Sequence, residues 1–264
     1  MTEKIKAAIL GFGTVGQGVY QSIQSHQSRL KQLLGKEGEV AGILIQHPEK
    51  ERDVDESVIV TTQFEDILAI PGLQVIFEAI VGEEPGHTYL SMAIEKGIHV
   101  ITANKVMFAR HGQELLKKAK ENGVQIGFEA TTAGGTPILQ TLALLRVNEV
   151  EEIQGILNGT SNFILSEMRE KKISFHEALK DAQARGYAEA DPANDIEGTD
   201  AFYKLLILSN VGWGIQPDWE TIEKQGITHI TSEVIEIADQ LRCRVKHVAD
   251  IKKEGSHLKG FVKP

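Results

Sequence analysis

The sequence predicts an α/β protein: a doubly wound parallel sheet in its first half, then a separate α+β domain. Three observations carry that expectation. Short apolar runs alternate with helical patterns over the first 137 residues. The runs are near-continuous rather than alternating, as strands covered by helices on both faces must be. Beyond Pro137, which closes the Gly-rich stretch TTAGGTP, the pattern turns mainly helical. The expected domains are therefore residues 1–137 and 138–264.

Taken in order, the strands of the first domain fall at 5–10 (IKAAIL), 40–45 (VAGILI), 58–60 (VIV), 75–79 (VIFEA), 99–101 (HVI) and 124–128 (VQIGF), each built on Val, Ile or Phe. Apolar residues at helical spacing place helices at 15–34, 87–96 and 112–121 between them. In the second domain 138–145 reads as a connecting helix and 151–157 as a strand. Ser174 and Glu177 have capping-box spacing and open a helix running to 185. Further helices are expected at 199–211 and 232–241.

Composition narrows the function classes. Apolar residues make up 41% of the 264 and charged residues 25%, enough for a full core and a soluble surface. Lys and Arg number 28 against 37 Asp and Glu, a formal charge of −9 with no basic block, which argues against nucleic acid as partner. Cys243 is the only cysteine, so no internal disulfide forms and a reducing cytoplasm is the simplest home. The chain enters its first strand without a signal-peptide apolar region, and no apolar run approaches the ~20 residues of a membrane span. A soluble, intracellular protein is expected.

Gly11, Phe12, Gly13, Thr14, Val15 and Gly16 spell GFGTVG directly after the first strand and at the mouth of the first helix. Each glycine serves a distinct mechanical purpose. The first turns the chain, the second lets backbone approach a diphosphate, and the third lets helix and strand pack closely. The helix N-terminus then offers unpaired N–H groups and partial positive charge. In that context the motif marks a Rossmann-type domain that binds NAD or NADP. The second strand ends Ile45-Gln46-His47-Pro48, without the acid that holds a ribose 2′-hydroxyl, while Lys50 and Arg52 follow. That favours a 2′-phosphate, hence NADP.

The stretch GYAEADPANDIEGTDAFYKLLIL concentrates acids around one lysine. Asp200 and Lys204 lie four apart on an expected helix, so both leave the same face, and Glu189, Asp191 and Asp195 precede them in an irregular loop. Such a set suits a small zwitterion, with carboxylates for its ammonium and a proton donor for a reacting oxygen. The plainer reading of Asp200 and Lys204 is a surface ion pair worth about 0.3–0.5 kcal/mol, and spacing alone leaves the two readings even.

Here the chain resembles the homoserine dehydrogenases. Its residues 186–208 are similar to that family's GYxExDPxxDxxGxDxxxK signature, keeping Tyr187, Glu189, Asp191, Pro192, Asp195, Gly198, Asp200 and Lys204. ITANK, FEATTAGGTP, NGTSNFIL and GITHIT match further family segments in order, so the resemblance covers residues 4 to about 264. The resemblance implies that Lys204 and Asp200 contact the substrate hydroxyl, with Lys204 moving the proton. It places Lys105 and Thr102 of ITANK beside the cofactor, Lys105 also facing substrate. It assigns Glu189 and Asp195 to the substrate amino group and puts Tyr187, Gly159 and Thr160 around the substrate. It implies a monovalent cation, sodium, held largely through backbone carbonyls at Glu129, Thr132, Gly134 and Thr136, although Thr132 and Thr136 stand where the family has apolar residues. The implied reaction is reversible reduction of L-aspartate 4-semialdehyde to L-homoserine, a step towards threonine, methionine and isoleucine, in a homodimer. The family continues past HLKGFVKP with more strands and a helix, so the expectation is a fragment or an altered subunit contact. The expectation is also that no C-terminal regulatory domain gives direct threonine feedback and that the chain binds dinucleotide better than it turns over homoserine.

Two rival readings compete. An aldehyde-oxidising dehydrogenase needs a reactive cysteine, and Cys243 in LRCRV at a helix end matches no such motif. A non-catalytic binding or regulatory protein on a dehydrogenase scaffold is opposed by Lys105, Asp200 and Lys204 all being present, and the alternative kept is a catalytically impaired fragment or non-catalytic dinucleotide-binding homologue. His47, His87 and His111 read as loop or helix-end residues rather than ligands, Trp213 and Trp219 as packing a turn around Pro217, and no His/Cys grouping has transition-metal spacing.

Overall fold

The computed structural model describes residues 4–145 and 147–264, which form two compact units divided between Gly135 and Thr136. In the first, strands β1 (Ile5–Leu10), β2 (Gly38–Leu44), β3 (Ile59–Thr61), β4 (Leu73–Glu78), β5 (His99–Thr102) and β6 (Ile126–Gly127) pair in the order β3-β2-β1-β4-β5-β6, all parallel. This is the Rossmann order, reversing direction between β1 and β4. Side chains alternate along a strand, so β1 feeds two cores. Ala8 and Leu10 join Ile76, Leu90 and Val100 on one face, and Ile9 joins Val40 and Ile43 on the other. Both faces are covered, as the near-continuous apolar strands predict.

The helices refine the sequence expectation. The segment 15–34 is two helices, α1 (Thr14–Ser25) and α2 (Gln27–Leu34), broken at His26. The break lets the Gln27 carboxamide bracket Gly38, donating to its carbonyl at 2.8 Å and accepting its N–H at 3.0 Å. A short helix α3 (Phe64–Leu68) buries Phe64 and Ile67 where the sequence suggests no helix. After α4 (Gly86–Glu95), helix α5 (Lys105–Glu121) starts well before Gly112, because Asn104 caps it and Met107 and Phe108 are buried. Gly112 is no helix start; a Cβ there would come within 3.0 Å of the Phe108 ring, which stacks on Phe128.

In the second unit, α6 (Ile138–Leu144) and β7 (Glu152–Gly155) lead into α7 (Gly159–Lys171), a helix hidden by the poor helix formers of its first turn. Helix α8 (Phe175–Ala184) carries the expected Ser174–Glu177 capping box. The one-turn α9 (Ala193–Ile196), α10 (Thr199–Trp213), the short β8 (Glu223–Lys224) and α11 (Ser232–Gln240) follow. A hairpin of β9 (Val248–Glu254) and β10 (His257–Lys263), unassigned in the sequence because its strands carry so many lysines, completes a mixed sheet ordered β7-β9-β10-β8. Helices α7, α8 and α11 close a core around Ile164, Leu165, Met168, Ala178 and Ile235. Among the described residues no helix is long and apolar enough to cross a membrane.

One buried histidine ties this sheet to α10. Gly198, in the left-handed conformation at φ 84°, precedes α10, and a Cβ there would meet His247 at 3.0 Å. His247 is 2% exposed; its Nε2 lies 2.9 Å from the Gln225 carbonyl and its Nδ1 has no partner. Burial pushes its pKa down, opposed by the Gln225 contact. The unfolded chain therefore takes up this proton first as pH falls, and stability drops from about pH 6.5 down through the depressed folded value. The unfolding free energy of wild type from urea titration should fall across that window, by at most about 1.4 kcal/mol per pH unit from this group. His247→Gln, which keeps a donor towards Gln225, should flatten that part of the slope; an unchanged slope would show that His247 is charged when folded.

Candidate functional site

In the first unit, α1 begins at the C-terminal end of β1, and Gly13 at its N-cap leaves the first turn without a side-chain cap. Gly11 turns the chain at φ 87°, and a Cβ on Gly16 would sit 2.0 Å from the Gly11 carbonyl oxygen. By contrast, a Cβ on Gly13 would meet nothing within 4 Å. The helix therefore presents bare N–H groups across open space, the arrangement a diphosphate needs. Thr14 and Val15 are exposed at the same mouth, while Phe12 packs edge-on against Tyr20 with ring centroids 5.8 Å apart. A cavity of about 620 Å³ runs from Gly11 and Gly13 to Lys50 and Arg52. Arg52 folds the 47–52 loop by donating to the carbonyls of Lys50 and His47, the latter at 2.7 Å. His47 pairs with Glu49 at 3.2 Å.

Ala79, Ile80 and Val81 also line this cavity, and just before them stands a residue that the motifs do not single out. Glu78, at the C-terminal end of β4, is 2% exposed. It accepts the Thr102 hydroxyl, the Ile80 N–H at 2.7 Å and an Asn104 amide hydrogen at 3.3 Å. Burial pushes its pKa up against these three bonds. Thr102 is fully buried with its hydroxyl held by Glu78, so backbone is what it can offer a ligand. Lys105 follows immediately as the first residue of α5. The sequence signal for Glu78 is an acid inside an otherwise apolar strand. Nearby, Glu129 opens a 3-10 turn, Thr132 is fully buried, and Ala133 and Gly134 are consecutive left-handed residues at φ 59° and 55°. Thr136 is exposed and belongs to the second unit.

The second unit gathers the acid-and-lysine set around one carboxamide. Asn158, 5% exposed, caps α7 by accepting the Ser161 N–H at 2.7 Å. Its amide nitrogen donates to Asp195 Oδ1 at 2.6 Å and to Asp200 Oδ2 at 2.9 Å. Lys204 Nζ lies 2.7 Å from the same Asp200 oxygen and donates to the Leu157 carbonyl at 2.8 Å. Asp200 and Lys204 are 7% and 16% exposed, so the ordinary surface ion pair is excluded. Thr160 donates to the Tyr187 carbonyl at 2.7 Å, and Tyr187 stacks on Phe163 at 4.3 Å. Gly159 and Glu189 are exposed on the same loops, and Asp191 accepts the Ala193 N–H at 3.1 Å. Asn158 is the residue that sequence reasoning misses here; its signal is a capping Asn before Gly-Thr-Ser. Cys243 is exposed in the turn after α11 and is no member of this set.

Two family models match the chain: the homoserine dehydrogenase model over residues 137–264 and the homoserine dehydrogenase NAD binding domain model over residues 11–129. The homoserine dehydrogenase of Bacillus subtilis is 41% identical over 262 residues, covering 98% of this chain and 60% of that protein. The chain thus spans about 60% of the length of the curated relatives it matches first. A homoserine dehydrogenase structure from Thiobacillus denitrificans superposes with a TM-score of 0.92 at 38% identity, covering 98% of this chain and 61% of the other. A putative homoserine dehydrogenase structure from Archaeoglobus fulgidus gives 0.84 at 31% identity, covering 98% and 84%.

The carboxamide node yields a prediction. Asn158→Ala removes a helix cap and the shared donor of two carboxylates, and should destabilise the chain by about 2–4 kcal/mol in urea unfolding. Asn158→Asp keeps the cap acceptor but adds a third negative charge, and should be worse at neutral pH than in mild acid. A loss below about 0.5 kcal/mol for both variants would place Asn158 among ordinary surface residues.

Proposed function

The chain belongs to the homoserine dehydrogenase family, and from that premise we propose that it reversibly reduces L-aspartate 4-semialdehyde to L-homoserine with a nicotinamide dinucleotide. The observation that carries the reading is the anchored lysine: Asp200 and the Leu157 carbonyl occupy two of the three donor directions of Lys204. The third N–H is the one available to a substrate oxygen. When bound, the dinucleotide supplies the hydride that the aldehyde carbon accepts. Lys204 gives the proton to the forming alkoxide and takes it back in the reverse direction. Asp200 fixes the ammonium so that it meets that oxygen in one orientation.

Glu189 and Asp195 receive the substrate ammonium; Asp195 is oriented through its Oδ1 by Asn158, leaving Oδ2 for the substrate. Gly159, Thr160 and Tyr187 border the same loops, and Lys105 and Thr102 serve the cofactor side. Gly11 to Gly16 hold the diphosphate at the N-terminus of α1, and Lys50 and Arg52, in the same cavity, favour a ribose 2′-phosphate, hence NADP over NAD. The cation positions, Glu129, Thr132, Gly134 and Thr136, offer only oxygen donors, the chemistry that suits sodium. A homodimer is supported by β7, an edge strand with exposed Leu144, Val147 and Ile156 near it in sequence. A cytoplasmic home is supported by the unpaired Cys243.

The decisive experiment follows nicotinamide absorbance with homoserine, NAD and NADP run in parallel; turnover with neither would overturn the reading. Lys204→Ala should lower kcat by ~10²–10⁴-fold with dinucleotide binding intact. A variant with near-normal kcat would remove Lys204 from proton transfer.

The phosphate loop is tested separately. Gly13 has an ordinary backbone conformation and room for a side chain, so Gly13→Val should fold normally. It should still lose dinucleotide affinity, because the valine fills the space the diphosphate needs. Fluorescence titration indistinguishable from wild type would put the diphosphate elsewhere.

A further inference from the structure

Helices α4 and α5 bring together three side chains that the sequence keeps apart. His87 lies in the first turn of α4, and His111 and Glu114 share one face of α5. The imidazole rings stack with centroids 4.0 Å apart and planes 19° from parallel. One donor atom from each of His87, His111 and Glu114 lies within 4.8 Å of the other two.

The bonds around this group orient the rings. His87 Nδ1 is 3.3 Å from Glu84 Oε1, so its Nε2 is turned inwards, 3.5 Å from Glu114 Oε2. That Nε2 is shielded from solvent and makes no hydrogen bond. His111 Nε2 is 2.7 Å from Glu83 Oε1, which turns its Nδ1 towards the same Glu114 oxygen at 3.8 Å. Arg110 holds the other oxygen of Glu83 at 3.1 Å. Each imidazole therefore has its far nitrogen against a carboxylate and its near nitrogen facing a common acid. Metal-binding histidines are held in this way, the outer carboxylate fixing the tautomer and raising ligand basicity. Donors bound at about 2.0–2.1 Å in a tetrahedron stand about 3.4 Å from one another, close to the gaps to Glu114, and the two stacked imidazoles must turn out of their near-parallel planes for both nitrogens to point at one ion.

We propose that His87, His111 and Glu114 form a binding site for a divalent transition-metal ion of the zinc class, clamping α4 to α5, with Glu83 and Glu84 as outer-sphere supports. A water molecule fills the fourth position of the tetrahedron. The ligands are imidazole and carboxylate, which excludes ions that demand thiolate and disfavours calcium, whose shell is built from six or more oxygens. Protons compete with the ion for both imidazoles, so affinity falls as pH is lowered.

The test uses the full chain, stripped with a chelator and titrated near neutral pH with Co²⁺ by visible absorption and with Zn²⁺ by calorimetry. One ion per chain is expected, with the intense visible bands of low-coordinate cobalt and displacement of cobalt by zinc. Zinc should also raise the thermal midpoint, because it binds only the folded arrangement. His87→Gln and His111→Gln should each weaken binding by ~100-fold or more and remove the thermal shift, whereas Cys243→Ser should change neither. Far-UV circular dichroism establishes that the variants are folded. Absence of stoichiometric binding to the wild-type chain would overturn the proposal. Zinc binding unchanged in both folded histidine variants would do so equally, showing an adventitious surface site.

Discussion

The second unit is organised around a charge that has to be buried. Asp200, 7% exposed near the start of α10, would be costly to ionise alone in that position. It is tolerated because Lys204 and Asn158 both lie within hydrogen-bonding distance of its Oδ2. Those partners draw in the rest: the Leu157 carbonyl after β7, the N-terminus of α7 through Asn158, and α9 through Asp195. Four elements are thus positioned by one ion pair and one carboxamide. Gly198 beneath His247 fixes where α10 begins, and so where this charge falls. Buried pairs of this kind contribute little net stability compared with well-packed apolar residues.

The first unit uses the same device at a different place. Asn104 caps α5 through its side-chain oxygen, accepting the Met107 N–H at 3.1 Å, and donates its amide hydrogens to Glu78 and to the Gly82 carbonyl. Asn158 caps α7 and donates to Asp195 and Asp200. Asparagine suits both positions because its carboxamide offers an acceptor for the helix and two donors for an acid or a carbonyl. Aspartate would cap equally well but would repel the carboxylate behind it, and serine has one hydrogen to give. Each buried acid is thereby tied to a helix N-terminus, whose partial positive charge adds to the stabilisation.

This device also explains what the sequence revealed and what it hid. The six parallel strands and the glycine loop were legible because their signals are local: unbroken apolar runs, and GFGTVG directly after one of them. The capping box at Ser174 was legible for the same reason. Helix α7 was hidden because its first residues, Gly-Thr-Ser-Asn, are poor helix formers, and only the cap at Asn158 and burial of Ile164, Leu165 and Met168 make the helix form. The β9–β10 hairpin was hidden because charged residues cover its solvent face, while Ala249, Ile251, Leu258 and Val262 bury the other. Within the candidate site, Asp200 and Lys204 share a helix face and could be paired from spacing. Asn158 and Glu78 could not be, because their partners lie far along the chain and meet them only through the fold.

The glycine loop and the carboxamide node solve opposite problems. At the loop, the proposed function brings backbone to a ligand, and side chains are absent: Gly16 packs against the Gly11 carbonyl, and Gly13 faces open space. No charge is placed there, and the helix N-terminus supplies the attraction through groups that cannot titrate. At the node, the proposed reaction requires a proton to move, so a titratable group is needed there and must be held still. Lys204 is long and flexible by nature, and the Leu157 carbonyl and Asp200 remove that freedom before any substrate arrives. Asp200 is in turn immobilised by Asn158, whose own orientation is set by the backbone of α7. The orientation of Lys204, the proposed proton donor, therefore derives from a helix cap two side chains away. A change confined to that cap alters the geometry of Lys204 without touching Lys204 itself, which separates positioning from proton transfer in this site.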